Sequence, residues 1–107
     1  MEIEGWKELL KNPLFVSHLS RVNFFIASHH GRESGYCNDI FEHCKPELVI
    51  ISDESIQYET QNTDYTTHAT GVRWTDGSKR YVLTTRHDGM ITISQKPNEG
   101  LWVYTAN

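Results

Sequence analysis

The stretch Phe24-Phe25-Ile26-Ala27-Ser28-His29-His30-Gly31-Arg32 is an apolar run that stops abruptly at two histidines and a glycine. The run predicts one buried strand within residues 22–28, and the histidines fall where that strand ends. A second apolar run at Leu48-Val49-Ile50-Ile51-Ser52 predicts another strand, with one short helical segment between the two. Because strand ends in α/β folds hold the loops that carry chemistry, the first of these loops is predicted to bear a metal-competent site.

The size and charge of the chain limit its organisation and its partners. The 107 residues predict a single domain, 1–107, and 37% of them are hydrophobic. Ten basic and fourteen acidic residues give a formal net charge of −4. Since nonspecific nucleic-acid and membrane surfaces require positive charge, this balance argues against both. It leaves open a nucleic-acid substrate that is held by a metal.

The two cysteines indicate a reducing compartment. Cys37 and Cys44 are predicted to lie on one apolar helix face with Ile40 and Phe41. Two helical turns separate the cysteines by roughly 10 Å, which is too far for a disulfide. No signal peptide or long apolar stretch is visible in the sequence, so we expect a cytoplasmic location.

Other local patterns predict helices at the amino terminus and hairpins near the end of the chain. Residues 3–11 are amphipathic, and Asn12-Pro13 is typical of the start of a second short helix. Residues 53–70 are polar and lack a pattern, which is typical of a functional loop or of a mobile one, with a helical turn or two expected around 64–72. The turn sequence His87-Asp88-Gly89 predicts a hairpin, and 101–104 can add a last strand.

Three of these elements, in their order along residues 4–94, resemble the metallo-β-lactamase superfamily, and within it the ComEC-like competence hydrolases. They are Ser28-His29-His30-Gly31-Arg32, then Phe41 to Lys45-Pro46-Glu47-Leu48-Val49-Ile50-Ile51-Ser52, and then Thr84-Thr85-Arg86 with Asp88-Gly89 and Ile91-Thr92-Ile93. The resemblance implies an α/β fold with a mixed β-sheet and flanking helices, the C-terminal half of an αββα sandwich. It also implies metal-dependent hydrolysis of a phosphodiester or nucleic-acid substrate.

The chain departs from that superfamily in its main metal motif. The family carries His-x-His-x-Asp-His and a later Gly-Asp that bridges two metals, and this sequence contains neither. The resemblance therefore implies a C-terminal segment that is inactive by itself. Its expected partner is the missing N-terminal half, or a second copy that covers the sheet face formed by Phe25, Val49 and Ile51.

The resemblance also assigns roles to individual residues. His30 directly precedes Gly31 and is implied as a metal ligand, with His29 beside it; the metal is Zn²⁺ or Mn²⁺ in the complete enzyme. One histidine cannot hold zinc, so this chain alone is expected to bind no metal tightly. His68 is implied as a catalytic group that meets the phosphate or the leaving group. Arg32 and Arg86 are candidates for binding the anionic substrate.

Each assignment has a simpler alternative. The histidines can be solvated loop residues, the arginines can be solvated as well, and His68 can be an ordinary surface histidine. Trp6, Trp74 and Trp102 are more typical of packing than of a base-stacking platform. The rival to the hydrolase hypothesis is a non-catalytic binding or structural module that keeps only the scaffold.

Overall fold

The computed structural model describes residues 3–27, 35–52, 65–98 and 100–106. The predicted site residues His29, His30 and Arg32 lie outside the described residues, and so does the side chain of Arg86. The polar segment 53–64 lies outside them too. The fold below concerns the described ranges only.

Two short helices open the chain, as the sequence predicts. They are α1, Ile3–Leu9, and α2, Pro13–Leu19. The side chain of Asn12 caps α2, because its Oδ1 accepts the backbone N–H groups of Leu14 at 2.9 Å and Phe15 at 3.3 Å. No helix in the described ranges has the length and apolar character needed to cross a membrane.

Seven strands follow, and they form three separate small sheets. The strands are β1 (Phe24–Ile26), β2 (Leu48–Ile51), β3 (Val72–Arg73), β4 (Lys79–Arg80), β5 (Val82–Thr84), β6 (Ile91–Lys96) and β7 (Gly100–Thr105). The central sheet has the order β1-β2-β5 and is parallel throughout. The remaining strands form two antiparallel hairpins, β3–β4 and β6–β7. The coarse α/β class is therefore confirmed. The predicted mixed sheet is not found in the described ranges, because the central sheet is all parallel and the antiparallel pairs are separate hairpins.

The hairpin predicted at His87-Asp88-Gly89 is wrong. Residues Thr85–Asp88 form a short helix, α3, and β5 pairs in parallel with β2. The reason is the side chain of Thr84, whose hydroxyl accepts the His87 N–H at 3.2 Å and caps a helical turn. The predicted last strand is confirmed, since β7 pairs with β6.

The segment between β1 and β2 contains a 3₁₀ helix, Asn38–Glu42, in place of the predicted helix face from Cys37 to Cys44. Only a few residues separate Tyr36 from Pro46, and 3₁₀ geometry suits such short connections. The Ile40 N–H donates to the Cys37 carbonyl at 3.2 Å. Both cysteines flank this helix, buried and unbridged, as the sequence predicts.

One face of the central sheet, which we call the helix-covered face, packs against α1, α2 and the 3₁₀ helix. Phe25, Val49 and Ile51 are buried there. The expectation that these three residues would form an exposed sheet face is wrong. Leu19, Ile40 and Phe41, with the half-buried Trp6, cover them.

The opposite face, which we call the hairpin-covered face, packs against the two hairpins. Leu48, Ile50 and Leu83 are buried beneath Val72, Trp74, Ile91 and Val103. Its margin is open at Ile26, which is 60% exposed. On β7, Trp102 and Tyr104 alternate with the packed Val103, so they point away from this face and are about half exposed. At the tip of β3–β4, hydrogen bonds from Ser78 hold the pKa of the Asp76 carboxyl below its ordinary value.

Candidate functional site

The carboxyl ends of the three parallel strands meet at one edge of the central sheet, which we call the carboxyl edge. The strands end there at Ile26, Ile51 and Thr84. Binding sites in open parallel sheets are built at this edge. The buried Ala27 follows β1, so the chain enters segment 28–34, with His29, His30 and Arg32, from the carboxyl edge. Their side-chain positions lie outside the described residues.

The described part of the carboxyl edge is the turn that runs from Thr84 to Asp88. The Asp88 carboxylate accepts the Thr84 N–H at 3.0 Å through Oδ2 and the Arg80 guanidinium at 2.8 Å through Oδ1. Asp88 is only 8% exposed. A buried carboxylate is stable when its charge is paired and its oxygens are hydrogen-bonded, and both conditions hold here.

Arg80 connects this turn to the β3–β4 hairpin. Its guanidinium carbon lies 5.3 Å from the centre of the Trp74 ring, in a cation–π arrangement, while a nitrogen of the same group binds Asp88. The sequence does not predict the Arg80–Asp88 pair, because His87-Asp88-Gly89 is typical of a hairpin turn. Thr84 was the available signal, since threonine before a short polar run is a typical N-cap.

A shallow pocket of about 350 Å³ lies beside β5 and opens onto this turn. Its polar lining is Thr66, Lys79, Arg80, Thr84, His87 and Asp88. Arg80 is already paired with Asp88, so the exposed Lys79 and His87 are the groups at the pocket that can meet a ligand. The pocket therefore suits a small polar or anionic group.

His68 belongs to an aromatic cluster on the helix-covered side. Its ring stacks flat on Phe41, with ring centres 4.2 Å apart and planes 4° apart. Its Nε2 lies 2.8 Å from the Tyr36 hydroxyl, within hydrogen-bond distance. Tyr65, 1% exposed, packs edge-on against Tyr36. These contacts fix the orientation of the His68 ring, and they define a packing role for it.

The cluster joins two segments that each follow a strand. Tyr36 comes just after 28–34, and Tyr65 and His68 come just after 53–64. Two residues beyond His68, the backbone of Thr70 bonds to Pro46 and that of Gly71 to Glu47, which directly precede β2. His68 is therefore close along the chain to the amino ends of the strands. A direct catalytic role for His68 stays a prediction.

The described residues alone do not supply a metal site. Within these ranges, no three His, Cys, Asp or Glu side chains are grouped closely enough to hold an ion. Asp88 is committed to Arg80 and to the Thr84 N–H. Burial raises the pKa of the Cys44 thiol, which disfavours the thiolate that a metal needs. His29 and His30, the predicted ligands, lie outside the described ranges.

Comparison with protein-family models, with curated proteins and with solved structures finds no match for this chain.

Proposed function

We propose that this chain is the C-terminal segment of a metal-dependent hydrolase of the metallo-β-lactamase type, directed at phosphodiesters or nucleic acids. The observation that supports the proposal is the carboxyl edge. Strand β1, which precedes the His29-His30 segment in the sequence, ends at the same edge of the sheet as the turn from Thr84 to Asp88, with β2 between β1 and β5. A pocket at this edge that suits an anionic group is compatible with phosphodiester hydrolysis, for which His29 and His30 would supply metal ligands.

The layers of the fold support the same proposal. Helices cover one face of the central sheet, hairpins cover the other, and on the outer side of β7 Trp102 and Tyr104 are about half exposed. In an αββα sandwich the second sheet packs on the face that has no helices. The proposed partner is accordingly the half that carries the second sheet, with a second copy of this chain as the alternative.

The roles proposed for this chain are limited to positioning and ligation. His30, with His29, would contribute to holding Zn²⁺ or Mn²⁺; such a metal makes bound water acidic and stabilises charge at phosphorus. Arg32 and Arg86 would bind the anionic substrate. Arg80 and Asp88 hold the Thr84 turn in place at the carboxyl edge. The Tyr36–His68 contact ties the residues just after segment 28–34 to the residues just after segment 53–64.

The experiment begins with the coding sequence upstream of this chain. If it encodes His-x-His-x-Asp-His, the joined polypeptide is assayed on a chromogenic phosphodiester with Mn²⁺ or Zn²⁺. We expect turnover by the joined protein, none by the chain alone, and a loss of at least about 100-fold in His30→Ala. His18→Ala, at an exposed position in α2, is the matched control and should retain full activity.

Two outcomes contradict the proposal. If the isolated chain hydrolyses the substrate and His30→Ala abolishes this activity, the active site is complete in this chain. The chain is then not an inactive C-terminal segment of a larger hydrolase. An upstream sequence without the motif, or a joined protein without activity, favours the rival, a non-catalytic binding module. An open, mainly apolar groove lined by residues 72–75 and 101–105 is the observation that favours that rival.

A further inference from the structure

An open groove of about 570 Å³ runs between the two hairpins on the hairpin-covered side; we call it the β3–β7 groove. One wall is formed by the consecutive residues 72–75, the other by the consecutive residues 101–105, and Phe24 of β1 also lines it. Successive side chains of a strand point to opposite faces. A run of five consecutive lining residues therefore means that the backbone edge of β7, rather than one of its faces, borders the groove.

The hydrogen-bond pattern of β6–β7 shows which backbone groups of β7 point away from β6. Ala106 N–H donates to the Met90 carbonyl at 3.0 Å, so residues 90 and 106 form a hydrogen-bonded pair. Such pairs alternate in antiparallel ladders, which makes Thr92–Tyr104 and Ser94–Trp102 the next bonded pairs. The N–H and C=O groups of Leu101 and Val103 consequently point away from β6.

The same alternation applies to the opposite wall. Trp74 N–H donates to the Ser78 carbonyl at 2.8 Å, so Val72 and Arg80 form the next bonded pair of β3–β4. The intervening Arg73 directs its backbone groups away from β4. In the described ranges, β3 pairs only with β4 and β7 pairs only with β6.

The composition of the two walls indicates what the groove accepts. The β7 sequence Gly-Leu-Trp-Val-Tyr-Thr contains no charged residue and no proline. Charged residues and prolines normally protect an edge strand from pairing, so β7 lacks that protection. Among the residues that line the groove, Arg73 alone is charged, and it is exposed. An occupant with an acidic side chain near Arg73 would complement that charge.

We propose that the β3–β7 groove binds one extended segment of a partner polypeptide by β-strand addition, with alternate apolar side chains and a carboxylate opposite Arg73. Main-chain hydrogen bonds to Leu101 and Val103 supply affinity, and Phe24 and Trp74 lie where they can accept the apolar side chains. A second copy of this chain fits less well. Its β7 already has β6 on one side and cannot pair with β7 and β3 together.

The test uses the full chain, without metal or phosphodiester, so its result is independent of the proposed hydrolase. A random peptide library displayed on phage is selected on the chain. An enriched peptide is then synthesised and titrated by NMR. We expect enriched sequences to alternate apolar residues and to include Asp or Glu. Amide signals of Arg73, Leu101 and Val103 should shift on binding.

Two variant pairs locate the binding. Val103→Pro removes an outward N–H and should weaken binding about fivefold or more. Its matched control is Ile93→Pro, since Ile93 faces Val103 across the ladder and directs its own N–H to the opposite edge. Should the proline variants fail to fold, Arg73→Glu must weaken binding of the acidic peptides. Lys7→Glu, at an exposed position in α1 on the helix-covered side, must leave that binding unchanged.

Three results overturn the proposal. One is selection that enriches no alternating peptide. Another is equal binding by the Val103 and Ile93 variants. The third is a wild-type dimer in sedimentation that Val103→Pro converts to monomer, because a second copy would then be the occupant.

Discussion

The helix-covered face of the central sheet leaves Phe25 7% and Ile51 0% exposed, whereas on the hairpin-covered side Ile26 is 60% exposed. Leu48 and Leu83, at the centre of the hairpin-covered face, are as well buried as any residue of the chain. The contrast therefore concerns the margins of the two faces. Helices and an aromatic cluster close the first margin, and the second is left open between two small hairpins.

The physical reason is the kind of element that covers each face. A helix satisfies its backbone hydrogen bonds internally, so it can close a face without leaving an edge. A two-stranded hairpin keeps an edge on each side and is marginally stable by itself. We infer that the helix-covered face provides most of the stability and the hairpin-covered face the capacity for partners.

The largest expected effect tests this division with two neighbouring residues. Phe25 contacts the rings of Trp6, Phe41 and Tyr65, whereas Phe24 is half-buried beside the β3–β7 groove. Phe25→Ala should lower the free energy of unfolding by about 3–5 kcal/mol. Phe24→Ala should lower the free energy of unfolding by about half as much or less, because fewer atoms of Phe24 than of Phe25 are buried in contacts. Urea denaturation measures both, and equal costs would contradict the inferred division.

The next effect concerns the ion pair at the carboxyl edge. Asp88→Asn removes the charge that balances the largely buried Arg80, so we expect a loss of about 2–3 kcal/mol in the free energy of unfolding. Glu8→Gln is the control, because the Glu8–Lys11 pair is almost fully exposed. It should cost less than about 0.5 kcal/mol. If Asp88→Asn leaves the free energy of unfolding unchanged, the turn is held by its backbone alone.

A smaller effect is expected in the aromatic cluster. Tyr36→Phe keeps the rings but removes the hydroxyl that meets His68 Nε2, which should cost about 1 kcal/mol. Tyr104→Phe is the matched control on the hairpin-covered side, where the half-exposed hydroxyl should matter little. Thermal unfolding compares the two variants. In the joined hydrolase, a change in the pH profile of the rate upon Tyr36→Phe would support a catalytic part for His68.

The sequence predicts local features well where one residue determines them. Asn12 and Pro13 start α2, and the two apolar runs form β1 and β2. Competing local signals explain the failures. His87-Asp88-Gly89 is a good turn sequence, but the Thr84 cap and the parallel partner β2 favour a helix.

The candidate site was only partly predictable for a different reason. Asp88 and Arg80 meet because β5 and α3 bring them together, and no spacing rule in the sequence indicates that contact. The covered state of Phe25 and Val49 likewise depends on how α1 and α2 fold back on the sheet. The histidine segment after β1 lies outside the described residues, so its role stays a prediction.

The smallest expected effect tests whether the helix-covered face stays closed at alkaline pH. Burial raises the pKa of the Cys44 thiol, so the folded chain keeps that proton when the unfolded chain begins to lose it. The contribution of the Cys44 thiol to the free energy of unfolding is fully present below the ordinary thiol pKa, about 8.5, and declines as the pH rises above it. Cys44→Ala removes this contribution to the pH dependence. The urea midpoint of the wild-type chain should therefore exceed that of Cys44→Ala at neutral pH, and this difference should shrink at alkaline pH. Parallel pH curves for the two proteins would mean that Cys44 ionises as readily in the folded chain as in the unfolded one.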